Sequence, residues 1–595
     1  MSVGGGFWRK KTERNRKFRG FRRNVRATEQ DRETREPKKV PKQVIISDYP
    51  EYLEKIDKIR GYRRKLSRRH FLNATLMDDL ETETSPVNKT RLERIIGRVV
   101  SEDMINDIAR RRKVYASDWT DGFKRLRKVI PAILFLYFAC LSPAVSFGTI
   151  ASGITNGSLG VVEFLLSAGL SGALYAIICG QPMAFIAPTG LTLAFISGLF
   201  RYCSVKNLPF FPVYSWVGIW TSFFFVTLGL GGSSQLIRYC TRFTDEIFNA
   251  LLSLNFIYEA ISSLKRNFDE ADPMNLTMPF VSLAMALTTF WSTLVVATFE
   301  SSKFLNQKAR TVIKDFGPVT IFVLMSMINH FKLSKFRVPT LQVPSAFQLA
   351  GGRSLFIDLN AVPLKIKLLC ALPAVLLTSL FFMDQNISVR VVNNPDNKLK
   401  KGPAYNLDMV ALGLITGLTS LVGLPWMCGA TVQSLNHVRA MTESRFNKET
   451  GETEVVGVTE TRLTGFVVHA LIAGTVLLLP LLRFVPIPVV AGVFLFLGRK
   501  LMSGNSFLQR IRDTFVETSR LPDEHPIRYI GRRKTNLFTL TQLLCLFGLW
   551  TFKQNSATAI FFPSVIGFLV VIRSMLLPKV FTEDELIDLG DPTPD

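Results

Sequence analysis

One aspartate stands where an aspartate is expensive. Asp384 ends the run from Leu368 to Met383, which carries no other charge and is long enough to enter a bilayer. A carboxylate at that depth costs at least ~2.5 kcal/mol unless it is paired or wetted, so Asp384 is a candidate for ion handling. Two positions are open to it. The helix can end at Met383 and leave the carboxylate among the lipid headgroups, or it can continue and hold it inside the membrane.

Two other segments are punctuated alike. Gly180-Gln181-Pro182 leads to Pro188-Thr189-Gly190, and Gly423-Leu424-Pro425 leads to Thr431-Val432-Gln433. An apolar segment interrupted in this way starts a half-helix inside the bilayer, near Gly190 in one case and Gln433 in the other. The unpaired N–H groups and positive dipole end of each start can hold an anion. Pro188, Thr189, Gly190, Thr431, Val432 and Gln433 therefore form a candidate cradle for an oxyanion, with side-chain hydrogen bonds from Thr189 and Gln433. Gly-x-Pro alone also marks an ordinary loop; its recurrence at matching places in the chain points to a site. His437, four residues after Gln433, shares its helix face. It is a candidate for proton or anion handling, the other reading being a hydrogen-bonded structural histidine.

Such residues need a membrane scaffold, and composition supplies it. Of 595 residues 48% are hydrophobic although 20% are charged, so charge must be segregated. Residues 1–128 hold 35 Lys+Arg against 19 Asp+Glu, which places +16 of the formal +25 ahead of the first long apolar run. A basic segment feeding a membrane domain is assigned to the cytoplasm, and no nucleic-acid partner is expected. Its first 45 residues read as a disordered arm whose partner is anionic lipid. No apolar stretch near Met1 resembles a cleaved secretory signal, and Glu29, Asp31, Glu33 and Glu36 argue against an acid-poor transit peptide. The seven cysteines have no CxxC spacing and the five histidines are scattered, so neither a metal cluster nor a cofactor is expected.

Fourteen apolar runs follow, near 129–150, 161–179, 183–200, 212–231, 245–262, 279–299, 313–331, 367–390, 406–424, 427–441, 463–481, 486–502, 536–553 and 557–577. The two interrupted segments are third in each set of seven. The expected organisation is a disordered arm (1–45), a cytoplasmic segment (46–128), an all-α polytopic domain (129–577, with halves 129–331 and 367–577) and a cytoplasmic tail (578–595). Most loop charge then falls on the side of the N-terminus, the basic connection 332–366 being the exception. Arg439 and Arg462 read as membrane-end cations that snorkel, Lys401 and Arg390 as ordinary inside-loop charges.

The chain resembles the bicarbonate and borate transporter family, which includes the anion exchangers. The likeness is carried by Ser117-Asp118-Trp119-Thr120-Asp121-Gly122, the Gln181-Pro182 segment, Phe381-Phe382-Met383-Asp384-Gln385-Asn386-Ile387-Ser388 and Lys401-Gly402-Pro403-Ala404-Tyr405-Asn406-Leu407-Asp408. It continues through Gly423 to His437, Glu460-Thr461-Arg462-Leu463-Thr464-Gly465 and Leu576-Leu577-Pro578-Lys579-Val580-Phe581, in the family's order. The resemblance implies seven-plus-seven inverted repeats, a core domain moving against a dimer-forming gate, half-helices in spans 3 and 10, and one site between them. It also moves Asp384 from the headgroups into that site. Chloride/bicarbonate exchangers resemble one another in carrying Glu at the position of Asp384 and Arg at that of Gln433. Sodium-coupled members resemble the arrangement here, an Asp followed by a hydroxyl four residues on, which is Ser388, and no charge at Gln433. Borate exporters resemble it closely too, with an acid followed by Asn and Ser. Leu191 and Ile196 depart from the Pro and Glu of many members, which leaves the shape of the pocket open.

The reading is thus a homodimeric secondary transporter of bicarbonate or carbonate, Na+-coupled through Asp384 and Ser388, in the plasma membrane with both termini cytoplasmic. A borate exporter and a chloride/bicarbonate exchanger are the alternatives within the family. A channel is the alternative outside it. No grouping of nucleophile, base or metal ligands suggests an enzyme, and no GxxxxGK[ST] stretch suggests an ATP-driven pump.

Overall fold

The computed structural model describes residues 100–591, apart from 240, 273–274, 300–301, 342, 344–346, 447–452, 504, 523–524 and 555–561. The basic arm, the cytoplasmic segment up to residue 99 and the last four residues of the tail lie outside the described residues.

The first described helix, α1 (Glu102–Lys124), starts where Ser101 accepts a hydrogen bond from the Met104 amide and two acids occupy the first turn. It is too polar to cross a membrane. Apolar helices follow: α2 (Leu126–Ile154), α3 (Val161–Ile178), α4 (Gly190–Val205), α5 (Phe210–Leu230), α6 (Arg242–Asp269), α7 (Thr277–Thr298), α8 (Gln307–Lys332), α9 (Leu364–Val392), α10 (Tyr405–Leu421), α11 (Thr431–Met441), α12 (Arg462–Leu482), α13 (Ile487–Ser503), α14 (Ser506–Asp513), α15 (Arg532–Gln554) and α16 (Phe562–Val571). Among the described residues, each of the fourteen apolar runs overlaps a helix. Among the described residues, eight of these helices (α2, α3, α5, α6, α7, α9, α12 and α15) are by themselves long and apolar enough to cross. The others fall short for visible reasons. Helix α8 spends its first turns on Lys308, Arg310 and Lys314, while α4 and α11 have 16 and 11 residues. At 1.5 Å per residue those two span about 24 and 16 Å, less than the ~30 Å of a bilayer core.

The all-α expectation misses two strand pairs. β1 (Ile186–Ala187) pairs antiparallel with β2 (Cys428–Gly429), and β3 (Thr442–Phe446) pairs with β4 (Thr453–Val458) in a hairpin directly after α11.

Two sets of helices emerge from the packing. In one, α3 lies along α12 and α5 along α10; in the other, α6, α7 and α8 gather around α13. Small residues permit the close approaches, since a Cβ on Gly492 of α13 would come within 2.5 Å of the Ala286 carbonyl of α7. Outward-facing Leu170, Phe223, Trp291, Phe331 and Leu544 remain exposed, an apolar girdle suited to lipid and unsuited to water.

The cations are less conventional than the sequence suggests. Arg462 does not snorkel: it is fully buried, and its guanidinium binds Asp118 of α1 (Nε to Oδ2, 3.0 Å) and the carbonyls of Ala176 and Cys179 at the end of α3. Arg111 reaches the same Oδ2 at 2.9 Å, and Lys401 binds Oδ1 at 3.1 Å and Asp121 at 2.9 Å. A buried guanidinium needs a carboxylate more than it needs the interface, so pairing overrides snorkelling. At the other end of the chain, Asp591 accepts from the Phe243 amide at the start of α6 and pairs with Arg573, folding the tail back onto the domain.

Burial also raises Asp107 of α1 from its ordinary 3.8 to about 7, while its carboxylate accepts from the Asn406 amide at the start of α10. Because the folded chain holds this proton more tightly than the unfolded one, the contribution is stabilising at low pH. It declines as pH rises from about 4 through about 7. Thermal unfolding followed against pH should show the decline, and Asp107→Asn should flatten it between those limits.

Candidate functional site

The two Gly-x-Pro segments converge because they pair with each other. Ile186 faces Gly429 and Ala187 faces Cys428 across the short β ribbon, the Ala430 amide donates to the Phe185 carbonyl at 2.9 Å, and Ser434 Oγ accepts from the Phe185 amide at 2.9 Å. This pairing satisfies backbone groups that would otherwise be stranded in an apolar interior. It also aligns two helix starts. Helix α4 begins at Gly190 with Thr189 as its N-cap, the hydroxyl accepting from the Thr192 amide at 3.3 Å. Helix α11 begins at Thr431, two residues before Gln433, with Ala430 at the cap position.

Asp384 lies between them. Helix α9 does not end at Met383 but continues to Val392, so the carboxylate sits about two turns inside the helix end and is 7% exposed. Its Oδ2 accepts from Thr189 Oγ1 at 3.3 Å, and one turn on, Ser388 Oγ and Thr431 Oγ1 are 2.8 Å apart. Pro188, Thr189, Gly190, Asp384, Thr431, Val432 and Gln433 all line one cavity of about 1610 Å³. Six cradle residues and the aspartate are therefore brought together. Ser388 reaches them through Thr431 and is itself buried.

His437 stands apart from that lining. It is fully buried, with Nδ1 3.2 Å from the Met183 carbonyl, Nε2 against Thr464 Oγ1 and its ring centroid 4.6 Å from that of Phe185.

Sequence reading missed two further groups. Thr192 adds a hydroxyl 2.9 Å from that of Thr189, and the spacing Thr-x-x-Thr at a helix start is the signal that could have revealed it. The second group is a buried hydrogen-bond chain. Gln385 Nε2 donates to the Tyr175 hydroxyl at 2.6 Å, which donates to Asp408 Oδ1 at 3.0 Å, and that oxygen also accepts from the amides of Gly180 and Gln181 at 2.8 and 3.0 Å. The residue after Asp384 is thus tied to the entry of the first interrupted segment.

Charge limits what the site can hold. Two helix starts supply roughly half a positive charge each, and Asp384 supplies one negative charge, so an anion gains little net field until a cation joins it. The available oxygens, a carboxylate and hydroxyls, suit a hard cation. Among the described residues, no group of three or more His, Cys, Asp and Glu side chains gathers as a transition-metal site would.

Room is limited where the ribbon crosses α9. A Cβ on Gly429 would stand 2.8 Å from both the Asp384 carbonyl oxygen and the Gln385 Cα. These neighbours are helix backbone and cannot yield cheaply, so Gly429→Ala should displace α9 from the ribbon and destabilise the fold by about 1–3 kcal/mol. Thermal unfolding of the variant beside the parent would check it.

The fold resembles that of a murine Solute Carrier 26 family member A9 anion transporter solved in the inward-facing state, with a TM-score of 0.53, 12% identity, and coverage of 85% of this chain and 75% of that one. Among curated proteins, sodium bicarbonate cotransporter 3 of Rattus norvegicus is 32% identical over 562 residues, covering 83% of this chain and 46% of the relative. The sodium-driven chloride bicarbonate exchanger of Homo sapiens is 30% identical over 562 residues, covering 83% and 50%. The chain spans about half the length of the curated relatives it matches. A family model described as the HCO3- transporter integral membrane domain matches residues 99–278 and 272–594. That match takes in all of the described helices, and the chain belongs to the bicarbonate transporter family of integral membrane proteins.

Proposed function

We propose that the chain carries bicarbonate or carbonate across a membrane by alternating access, with Na+ as the coupling ion. The observation that carries this reading is that Asp384 is the one acid among the described residues lining a cavity whose wall also includes the first residues of α4 and α11. The anion would be held by the amides at Gly190, Thr431, Val432 and Gln433 beside Pro188, with hydrogen bonds from Thr189 and Gln433. Na+ would bind Asp384, Thr189 and, through the shared hydroxyl pair, Ser388 and Thr431. Each ion would then neutralise the field that disfavours the other, which is the physical basis of coupling. Relatives named for sodium bicarbonate cotransport and for sodium-driven chloride bicarbonate exchange support the choice, and the second of them makes chloride countertransport a variant of it. His437, with both ring nitrogens occupied, is assigned to holding α11 against α12 and against the segment that leads into the first ribbon strand.

In this reading the set containing α3, α5, α10 and α12 is the moving core, and α6, α7, α8 and α13 belong to a gate through which two copies dimerise. The fourteen apolar runs would form two inverted repeats, since the paired ribbon segments are third in each half. Both termini would be cytoplasmic, in the plasma membrane, with the basic arm against anionic lipid.

The deciding experiment compares bicarbonate with borate uptake by the purified chain in liposomes, each with and without a Na+ gradient. Na+-driven bicarbonate flux is expected. Na+-independent borate flux would replace the reading with a borate exporter, and ohmic single-channel currents would replace it with a channel.

A further inference from the structure

In the transport reading, the two ions draw on groups that are assembled differently. The amides assigned to the anion all belong to the two helix starts, and the ribbon holds those starts to each other through the pairs Ile186–Gly429 and Ala187–Cys428 and the Ala430 amide on the Phe185 carbonyl. The cation oxygens are divided between two bodies. Asp384 and Ser388 belong to α9, while their partners Thr189 and Thr431 belong to the helix starts. A group that fixes α9 against the ribbon therefore sets the distances within the cation set and leaves the anion cradle largely intact. Two side-chain ties do so, and both lead to Gln181. The first runs from Gln385, next to Asp384 on α9, through the Tyr175 hydroxyl of α3 to Asp408 Oδ1, which accepts from the amides of Gly180 and Gln181. In the second, Gln181 Nε2 donates to Asn393 Oδ1 at 2.6 Å, one residue past the end of α9, while Gln181 Oε1 accepts from the Met183 amide at 3.2 Å. The ties meet the chain of α9 at Gln385 and Asn393, about 12 Å apart, with Ser388 between them and Asp384 beside the first. Tyr175, Gln181, Gln385 and Asp408 are each 1% exposed or less, and none of them lines the cavity that holds Asp384.

We propose that Tyr175 and Gln181 are positioning residues for the cation half of the site, holding α9 so that its oxygens meet those of the helix starts at the spacing Na+ requires. This role rests on the transport reading for the identity of the two ions. The two halves respond differently to a shift of α9. A desolvated cation needs its oxygens placed within about 0.5 Å, and that placement depends on hydrogen-bonded neighbours that never touch the ion. Loss of such a neighbour costs about 10- to 100-fold in affinity. An anion at a helix start is held by amides whose geometry the helix itself fixes, so a small shift of α9 leaves it in place.

The test uses the full chain in liposomes, comparing the parent with Tyr175→Phe, which deletes one hydroxyl and keeps the ring, and with Gln181→Met, which keeps the length and removes both side-chain hydrogen bonds. Initial uptake is followed against Na+ at saturating bicarbonate and against bicarbonate at saturating Na+. In each variant the half-saturating Na+ concentration should rise about 10-fold or more, while that for bicarbonate stays within about twofold. A purely structural role would lower the yield of folded protein or the maximal rate and would not single out Na+. Equal shifts for both ions, or none for Na+, would overturn the positioning role. Were Tyr175→Phe not recovered folded, Gln181→Met would carry the same test through the second tie.

A second measurement needs no transport. Binding of Na+ to the folded chain should raise its melting temperature in NaCl over choline chloride at equal ionic strength, and the Na+ concentration that gives half of the rise should be about tenfold higher in either variant. A parent whose melting temperature does not respond to Na+, or variants whose response is unshifted, would overturn the role. If the parent chain carried no bicarbonate at all, the transport reading would fall, and the Na+ response would still decide whether Tyr175 and Gln181 position a cation site.

Discussion

Asp384→Asn should lose Na+ coupling while the protein still folds and reaches the membrane. Asparagine keeps the shape and one oxygen of aspartate, but it removes the full charge that a desolvated Na+ requires. Exchanging a charge-assisted contact for a neutral one is worth about 1.5–3 kcal/mol, so Na+ affinity should fall roughly 10- to 100-fold. Stability should hold or rise, because the variant no longer buries a carboxylate that is met by the neutral hydroxyl of Thr189. Without the negative charge the two helix starts present an uncompensated positive field. Anion binding should therefore become less dependent on Na+ even as gradient-driven uptake disappears. Bicarbonate uptake at graded Na+, with thermal unfolding as the folding control, separates these effects. Unchanged Na+ dependence would remove Asp384 from the coupling site.

The convergence of the candidate site residues is legible in the sequence because its strongest signals are local. A charge at the end of a long apolar run stands out against its neighbours, and a Gly-x-Pro punctuation recurring at matching places is enough to announce interrupted helices. The start of α11 lay two residues from its expected place, since Thr431 and Gln433 are both acceptable in a first turn. What stayed hidden was pairwise. The ribbon between Ile186–Ala187 and Cys428–Gly429 has two residues on each side, too few for any alternation to register, and it joins opposite halves of the chain. The chain from Gln385 through Tyr175 to Asp408 likewise spans three helices, and no spacing along the sequence encodes it. The pairing of Arg462 is hidden for the same reason. Near the end of an apolar run an arginine reads as a snorkelling cation, and only the fold reveals the carboxylate waiting on α1.

That carboxylate gives the largest expected effect on folding. Asp118 is fully buried, and it receives Arg111, Lys401 and Arg462 from three separate parts of the chain. Asp118→Ala would remove the carboxylate in direct contact with two buried guanidiniums, Arg111 and Arg462, a change that costs about 3–5 kcal/mol. This is a large share of the ~5–15 kcal/mol that holds a domain together, so the variant should be recovered poorly and unfold at a markedly lower temperature. The damage should also reach the site. Arg462 binds the Ala176 and Cys179 carbonyls at the end of α3, one residue before Gly180 opens the first interrupted segment. Removing the guanidinium as well, in Asp118→Ala/Arg462→Met, eliminates one orphaned charge and should recover part of the lost stability, so the double variant falls short of the sum of the singles. Melting curves of the two singles and the double provide the cycle. A melting temperature for Asp118→Ala equal to that of the parent would mean that water reaches these guanidiniums, and that the cluster is a surface feature and not the clasp between α1, α3 and α12.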